Sequence, residues 1–319
     1  MAPSTTSPSA TSTGATSTGA TSTGATSTDS VREACHRAIA SLSGRVLPYG
    51  SPHADYAFGV VSYLAADLGE AVTSLARADA SEPSARAAYA LGLAHAACGQ
   101  GEQAAAAFLR SVEIAPELLE GYYQAATALR TLGRGAEATA FLRQGVERFR
   151  GTSWASYLLN EMGVNLQLDG DAEAAERSFR ESIAEAAGDS VAPRTNLALV
   201  LERSGRTAEA RQLIEQVMEE TRRRAAPHAR PQISFLVFYL LGNLELADGH
   251  PLRACQAYER SLVFLPHSAS AWNSLAVALH AAGRRRQAER ALRRALAADP
   301  GFHAARRNLE SLNPQGGPG

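Results

Sequence analysis

The side chains that most often perform catalysis are present in this sequence but do not gather into a working pattern. Eight histidines fall at His36, His53, His95, His228, His250, His267, His280 and His303, none at metal-ligand spacing from a carboxylate or a cysteine. Cys35, Cys98 and Cys255 are too widely separated for a paired-cysteine zinc motif, and they suit reduced thiols better than a disulfide framework. The carboxylate pairs Asp169 with Asp171 and Glu219 with Glu220 sit where turns and helix ends are expected, so solvated charge accounts for them. No Gly-x-Ser-x-Gly elbow, dinucleotide glycine fingerprint or His-Glu-x-x-His motif occurs. All 31 basic residues are arginine, which excludes a phosphate loop ending in Lys-Ser/Thr and any Schiff-base lysine. The expectation is a non-enzyme that uses no cofactor and no metal.

The 31 arginines are balanced by 32 acidic residues across 319 positions, an ordinary composition with no strong pull toward nucleic acid or membrane. Arginine replacing lysine throughout, beside abundant alanine and glycine, matches the coding bias of a GC-rich, bacterial genome. Residues 1–28 have neither the basic start nor the apolar stretch of a secretory signal, and no segment approaches a membrane span, so the cytoplasm is the expected compartment. Residues 1–29 are dominated by a repeated Ala-Thr-Ser-Thr-Gly tract that should be disordered. Ser30 can cap a helix over residues 31–42, within an N-terminal helix and linker of residues 30–51.

The elements that would position any binding residues repeat along the chain. Glycines at Gly99, Gly133, Gly170, Gly205, Gly249 and Gly283 recur at intervals of 34, 37, 35, 44 and 34, each expected to end the first of two amphipathic helices. The unit is helix-turn-helix. In residues 269–302 it carries Trp272, Leu275, Ala276, Leu279, Ala288, Leu292, Ala295 and Pro300. The same positions hold Phe238, Leu241, Gly242, Ala254, Tyr258, Ser261 and Pro266 in 235–268. They hold Leu91, Gly92, Ala104, Phe108, Ser111 and Pro116 in 85–118, and Phe58, Gly59, Ala71, Leu75, Ala78 and Pro83 in 52–84. Weaker copies at 119–152, 156–189 and 191–224 lack the terminal proline.

This pattern resembles the tetratricopeptide repeat family. The resemblance spans roughly 52–312 and implies an all-α, right-handed superhelical solenoid of seven repeats. Residues 303–312 would form a C-terminal capping helix, with 313–319 a flexible tail. The insert 225–234, with Pro227 and Pro231, breaks the spacing and reads either as a hinge or as a longer helix plus loop.

In such a family the first helices line a concave groove. Carried onto this sequence, the groove would present Tyr56, Tyr63, Tyr89, Tyr123 and Tyr157, then Asn160, Gln167, Asn196, Tyr239, Asn243 and Asn273. Tyrosines offer apolar area with a polar tip, and asparagines can pair with both backbone groups of an extended peptide. The basic residues of a carboxylate clamp are missing, since Tyr56 and Val60 stand where they would begin. Charge is uneven: residues 153–224 hold 9 Arg and 13 acidic residues, whereas 269–319 hold 8 and 3. Arg284, Arg285, Arg286, Arg290, Arg293 and Arg294 thus form either a solvated surface or a patch for an acidic partner.

The implied function is a protein-interaction scaffold or adaptor that binds an extended segment of another protein in the groove. Alternatives left open are a ligand- or peptide-responsive regulator, an accessory protein of a multi-enzyme assembly, and, less favoured, an RNA-binding helical repeat. Self-association through uncovered solenoid ends is a further expectation.

Overall fold

Short polar residues start six of the helices. In the computed structural model, which describes residues 51–186, 190–223 and 231–312, the side chains of Ser51, Asp67, Ser84, Thr152, Asp171 and Ser268 each accept a backbone N–H of the helix that follows. The expected N-terminal tail and residues 30–50, Arg224 with most of the 225–234 insert, and the tail at 313–319 lie outside the described residues.

Fifteen helices and no strand occur among the described residues. In chain order they are α1 (Pro52–Leu64), α2 (Leu68–Ser81), α3 (Ala85–Ala97), α4 (Gly101–Ile114), α5 (Leu119–Thr131), α6 (Gly135–Phe149), α7 (Ser153–Leu168) and α8 (Ala172–Glu185). They continue as α9 (Val191–Arg203), α10 (Thr207–Arg223), α11 (Pro231–Ala247), α12 (Pro251–Phe264), α13 (Ala269–Ala281), α14 (Arg285–Ala298) and α15 (His303–Leu312). Two compact units result, the described residues up to Pro83 and those from Ser84 onward. In the first, α1 packs on α2; in the second, consecutive helices pack pairwise in solenoid fashion from α3 to α15.

All six glycines singled out by their spacing have positive φ, from 72° at Gly99 to 88° at Gly170, and so make the left-handed turn between paired helices. In the first unit the turn instead contains Ala66, at φ 61°. A second role of glycine is to let paired helices touch. A Cβ on Gly242 would lie 2.5 Å from the Tyr258 ring, and one on Gly163 would lie 2.6 Å from Phe179. In these pairs the large residue of the second helix thus fills the notch left by the glycine on the first.

The core of the second unit is built as three successive clusters. One runs from Ala104 to Met162, the next from Ala175 to Leu244, and the last from Ala254 to Leu312. Arginines bridge neighbouring pairs outside this core. Arg134 reaches Glu102 at 3.1 Å, Arg206 reaches Glu176 at 2.8 Å, and Arg211 reaches Glu245 at 3.2 Å and Asp248 at 2.6 Å. One polar device lies deep between pairs: Asn165 of α7, 2% exposed, donates to the Gly135 carbonyl oxygen at 2.8 Å and to the Thr139 hydroxyl.

The repeat spacing leaves two helix starts undetermined. α7 begins at Ser153 because Thr152 supplies the cap, and α11 begins at Pro231, so the last residues of the insert are helical. α15 buries Ala305 and Leu312 while exposing Arg306, Arg307 and Glu310.

Candidate partner-binding face

Within the second unit α5, α7, α9, α11 and α13 touch one another in succession, each being the first helix of its pair. Their outward residues therefore share one surface. Helical spacing puts Tyr123 on α5, Tyr157, Asn160 and Gln167 on α7, Asn196 on α9, Tyr239 and Asn243 on α11, and Asn273 on α13. Tyr89 lies on α3, and Tyr56 and Tyr63 lie on α1 of the other unit, all three partly exposed.

The tyrosines do different jobs. Tyr89 leans on Phe108 with ring centroids 5.6 Å apart, and Tyr239 stacks on Phe235 at 5.7 Å while meeting Ser274 through its hydroxyl at 3.3 Å. Both pack against the apolar clusters. Tyr123 and Tyr157 belong to none of those clusters; their rings tilt together at 5.7 Å, and Tyr157 remains 40% exposed. Trp154, one turn before Tyr157, is 52% exposed. A sequence search for groove tyrosines passes over it because it precedes the repeat frame.

The asparagines bond chiefly within the protein. Asn196 donates to Asn160 Oδ1 at 2.9 Å, and Asn160, only 8% exposed, donates to Glu161 Oε1 at 3.2 Å. Asn243 donates to Glu202 at 3.1 Å and accepts the Tyr258 hydroxyl at 2.8 Å. Asn273 accepts from Asn308 of α15 at 2.8 Å. These amides join one helix pair to the next, a role that the types alone do not reveal because the partners stand up to 41 residues apart.

Electrostatics single out two groups, the partly buried Glu161 of α7 and the core residue Tyr258 of α12. Burial raises the Glu161 carboxyl above its ordinary value, offset in part by the Asn160 bond and the charge of Arg130. Burial, followed by the neighbouring Tyr239 and Glu202, raises the Tyr258 hydroxyl, which stays protonated and able to donate. Elsewhere burial also pushes the Cys255 thiol up, away from nucleophilic behaviour. Among the described residues no group of three or more histidine, cysteine or acidic side chains is placed to hold a metal, and no helix is long and apolar enough to cross a membrane.

The arginines at the C-terminal end are dispersed in their contacts. Arg293 pairs with Glu289 at 2.6 Å, Arg294 lies 4.7 Å over the Trp272 ring, Arg290 donates to the Arg286 carbonyl oxygen at 3.4 Å, and Arg285 donates to that of Leu312. Arg284 and Arg286 are exposed. Part of the cluster therefore fastens α14 to its neighbours.

Tetratricopeptide repeat family models match residues 85–118, 191–216 and 271–304. No curated protein matches the sequence. Among solved structures, the chain is similar to Cut9-Hcn1, an APC/C hetero-tetramer, with TM-score 0.64, 14% identity, and coverage of 81% of this chain and 48% of that one. It spans about half the length of that relative. A tetratricopeptide repeat protein from Parabacteroides merdae superposes with TM-score 0.62 and 15% identity, covering 82% and 98% of the respective chains. A Pseudomonas aeruginosa pilF structure gives 0.56 and 18%, covering 71% and 97%. At these identities the likeness is one of fold.

Proposed function

The chain is a tetratricopeptide repeat protein, a class whose repeats are generally protein-protein interaction modules, and on that premise we propose that it is a non-catalytic adaptor holding an extended segment of a partner protein. The observation that carries this reading is the aromatic surface at α5 and α7, where Trp154 and Tyr157 stay half exposed next to Tyr123. Exposed aromatic area is favourable to cover and is typical of binding hot spots. The asparagines contribute chiefly by holding the groove's shape, since their amides already bond between helix pairs. Stacking at the C-terminal end is disfavoured, because α15 turns Arg306, Arg307 and Glu310 to solvent.

The test is affinity capture from native-host lysate with the full chain, beside Tyr123→Ala/Tyr157→Ala. A hot-spot tyrosine is worth about 2 kcal/mol, so the paired change should remove the captured partner while leaving the helical circular dichroism and melting midpoint near those of the parent. Equal capture by both proteins would move the interface off this face.

A further inference from the structure

The aromatic surface on α7 contains a carboxylate. Trp154, Tyr157 and Glu161 are spaced i, i+3 and i+7, which puts them on one stripe of the helix. Tyr123 of α5 closes one side of that stripe, its ring 5.7 Å from that of Tyr157. Asn160 holds Glu161 Oε1 at 3.2 Å and so fixes the direction of the carboxylate. Among the described residues Glu161 has no ion pair. Arg130 of α5 is close enough to be felt electrostatically, yet does not reach it.

A half-buried anion without a direct countercharge is poorly compensated, which is why burial raises its pKa. Tyrosine and tryptophan faces attract cations, and a guanidinium can stack on a ring while donating to a carboxylate. Acid and aromatics together suit one chemical class. We propose that the stripe formed by Trp154, Tyr157 and Glu161, closed by Tyr123, is the subsite for a basic side chain, arginine or lysine, in the partner's extended segment. This rests on the groove-binding reading above and specifies what that groove selects.

The probe is a phage-displayed library of random linear peptides, selected on the full chain and followed by titration of synthetic peptides from the recovered clones. Recovered sequences should share a basic residue. Exchanging that residue for glutamine, or making Glu161→Gln in the protein, should each weaken binding by about tenfold, equivalent to about 1.4 kcal/mol. Made together, the two changes should weaken it little more than either alone, because they remove the same interaction. Arg130→Gln should strengthen binding, since it removes a competing charge. Glu161→Gln retains size and the bond from Asn160, and an unchanged melt verifies its fold.

The inference is overturned if binding is lost with Tyr123→Ala/Tyr157→Ala but is indifferent to Glu161→Gln and to the peptide's basic residue; the groove reading then stands. If no recovered peptide is weakened by any of these protein variants, both readings fall.

Discussion

Gly163→Ala tests the close approach of paired helices on which the repeat core depends. An added Cβ would lie 2.6, 2.7 and 2.9 Å from three atoms of the Phe179 ring. Carbon atoms prefer about 3.5 to 4.0 Å, so the ring or the helix must retreat by about 1 Å. Phe179 is 0% exposed and shares a buried cluster with Leu197 and Ala198, so a shift of its ring would disturb that packing. Overpacking of this kind costs about 1 to 3 kcal/mol, against about 1 kcal/mol gained by removing glycine from a helix interior. The net expectation is a loss of about 1 kcal/mol, read as a lower urea midpoint by circular dichroism. Phe179→Leu should relieve the clash, so that the double variant is more stable than the sum of the single changes implies, by about 1 kcal/mol. A stabilising Gly163→Ala, or strict additivity with Phe179→Leu, would refute the reasoning.

In the first unit, Ala66→Gly should raise the thermal midpoint: the left-handed conformation costs alanine about 1 to 2 kcal/mol, and glycine gives back about 0.4 to 1 through unfolded-state entropy; a lower midpoint would show that the turn tolerates its Cβ. Asn165→Ala should cost about 1 to 3 kcal/mol in denaturant titrations, since it removes bonds made by a buried amide to Gly135 and Thr139; an unchanged midpoint would contradict this role. The folded-state pKa of Glu161 is raised, so its contribution to stability is fully present below the unfolded value and is lost as pH rises through the folded one. Glu161→Gln should therefore gain stability relative to the parent as pH rises through that window, and a pH-independent difference between the two proteins would contradict the burial of this carboxylate.

The helix-pair architecture was legible because its determinants are local or recur at a fixed interval. Gly99 through Gly283 mark turns by conformational need, and pairs such as Gly242 with Tyr258 report a steric notch that one repeat length separates from the next. Helix starts are less legible: α7 starts on the cap supplied by Thr152 and α11 starts at Pro231, both at places where the interval is broken. Repeat position places the groove residues on the first helices but does not fix their bonding. Whether Asn196 meets a peptide or Asn160 depends on how closely α7 and α9 approach, 36 residues apart in sequence. Glu161 and Trp154 are illegible for a related reason: a carboxylate and an indole are ordinary on a helix surface unless the first is partly buried and the second exposed. Asn165, an unremarkable amide in the sequence, proves to be a buried brace between pairs.

Site-specific photo-crosslinking in the native host tests the binding face most directly. The photoreactive phenylalanine analogue benzoylphenylalanine would replace Tyr157 in one protein and Arg177, exposed on the second helix α8, in another. A discrete partner crosslinked from position 157 and absent from position 177 is the expected result. The same adduct from both positions, or from 177 alone, would contradict binding along the first-helix face.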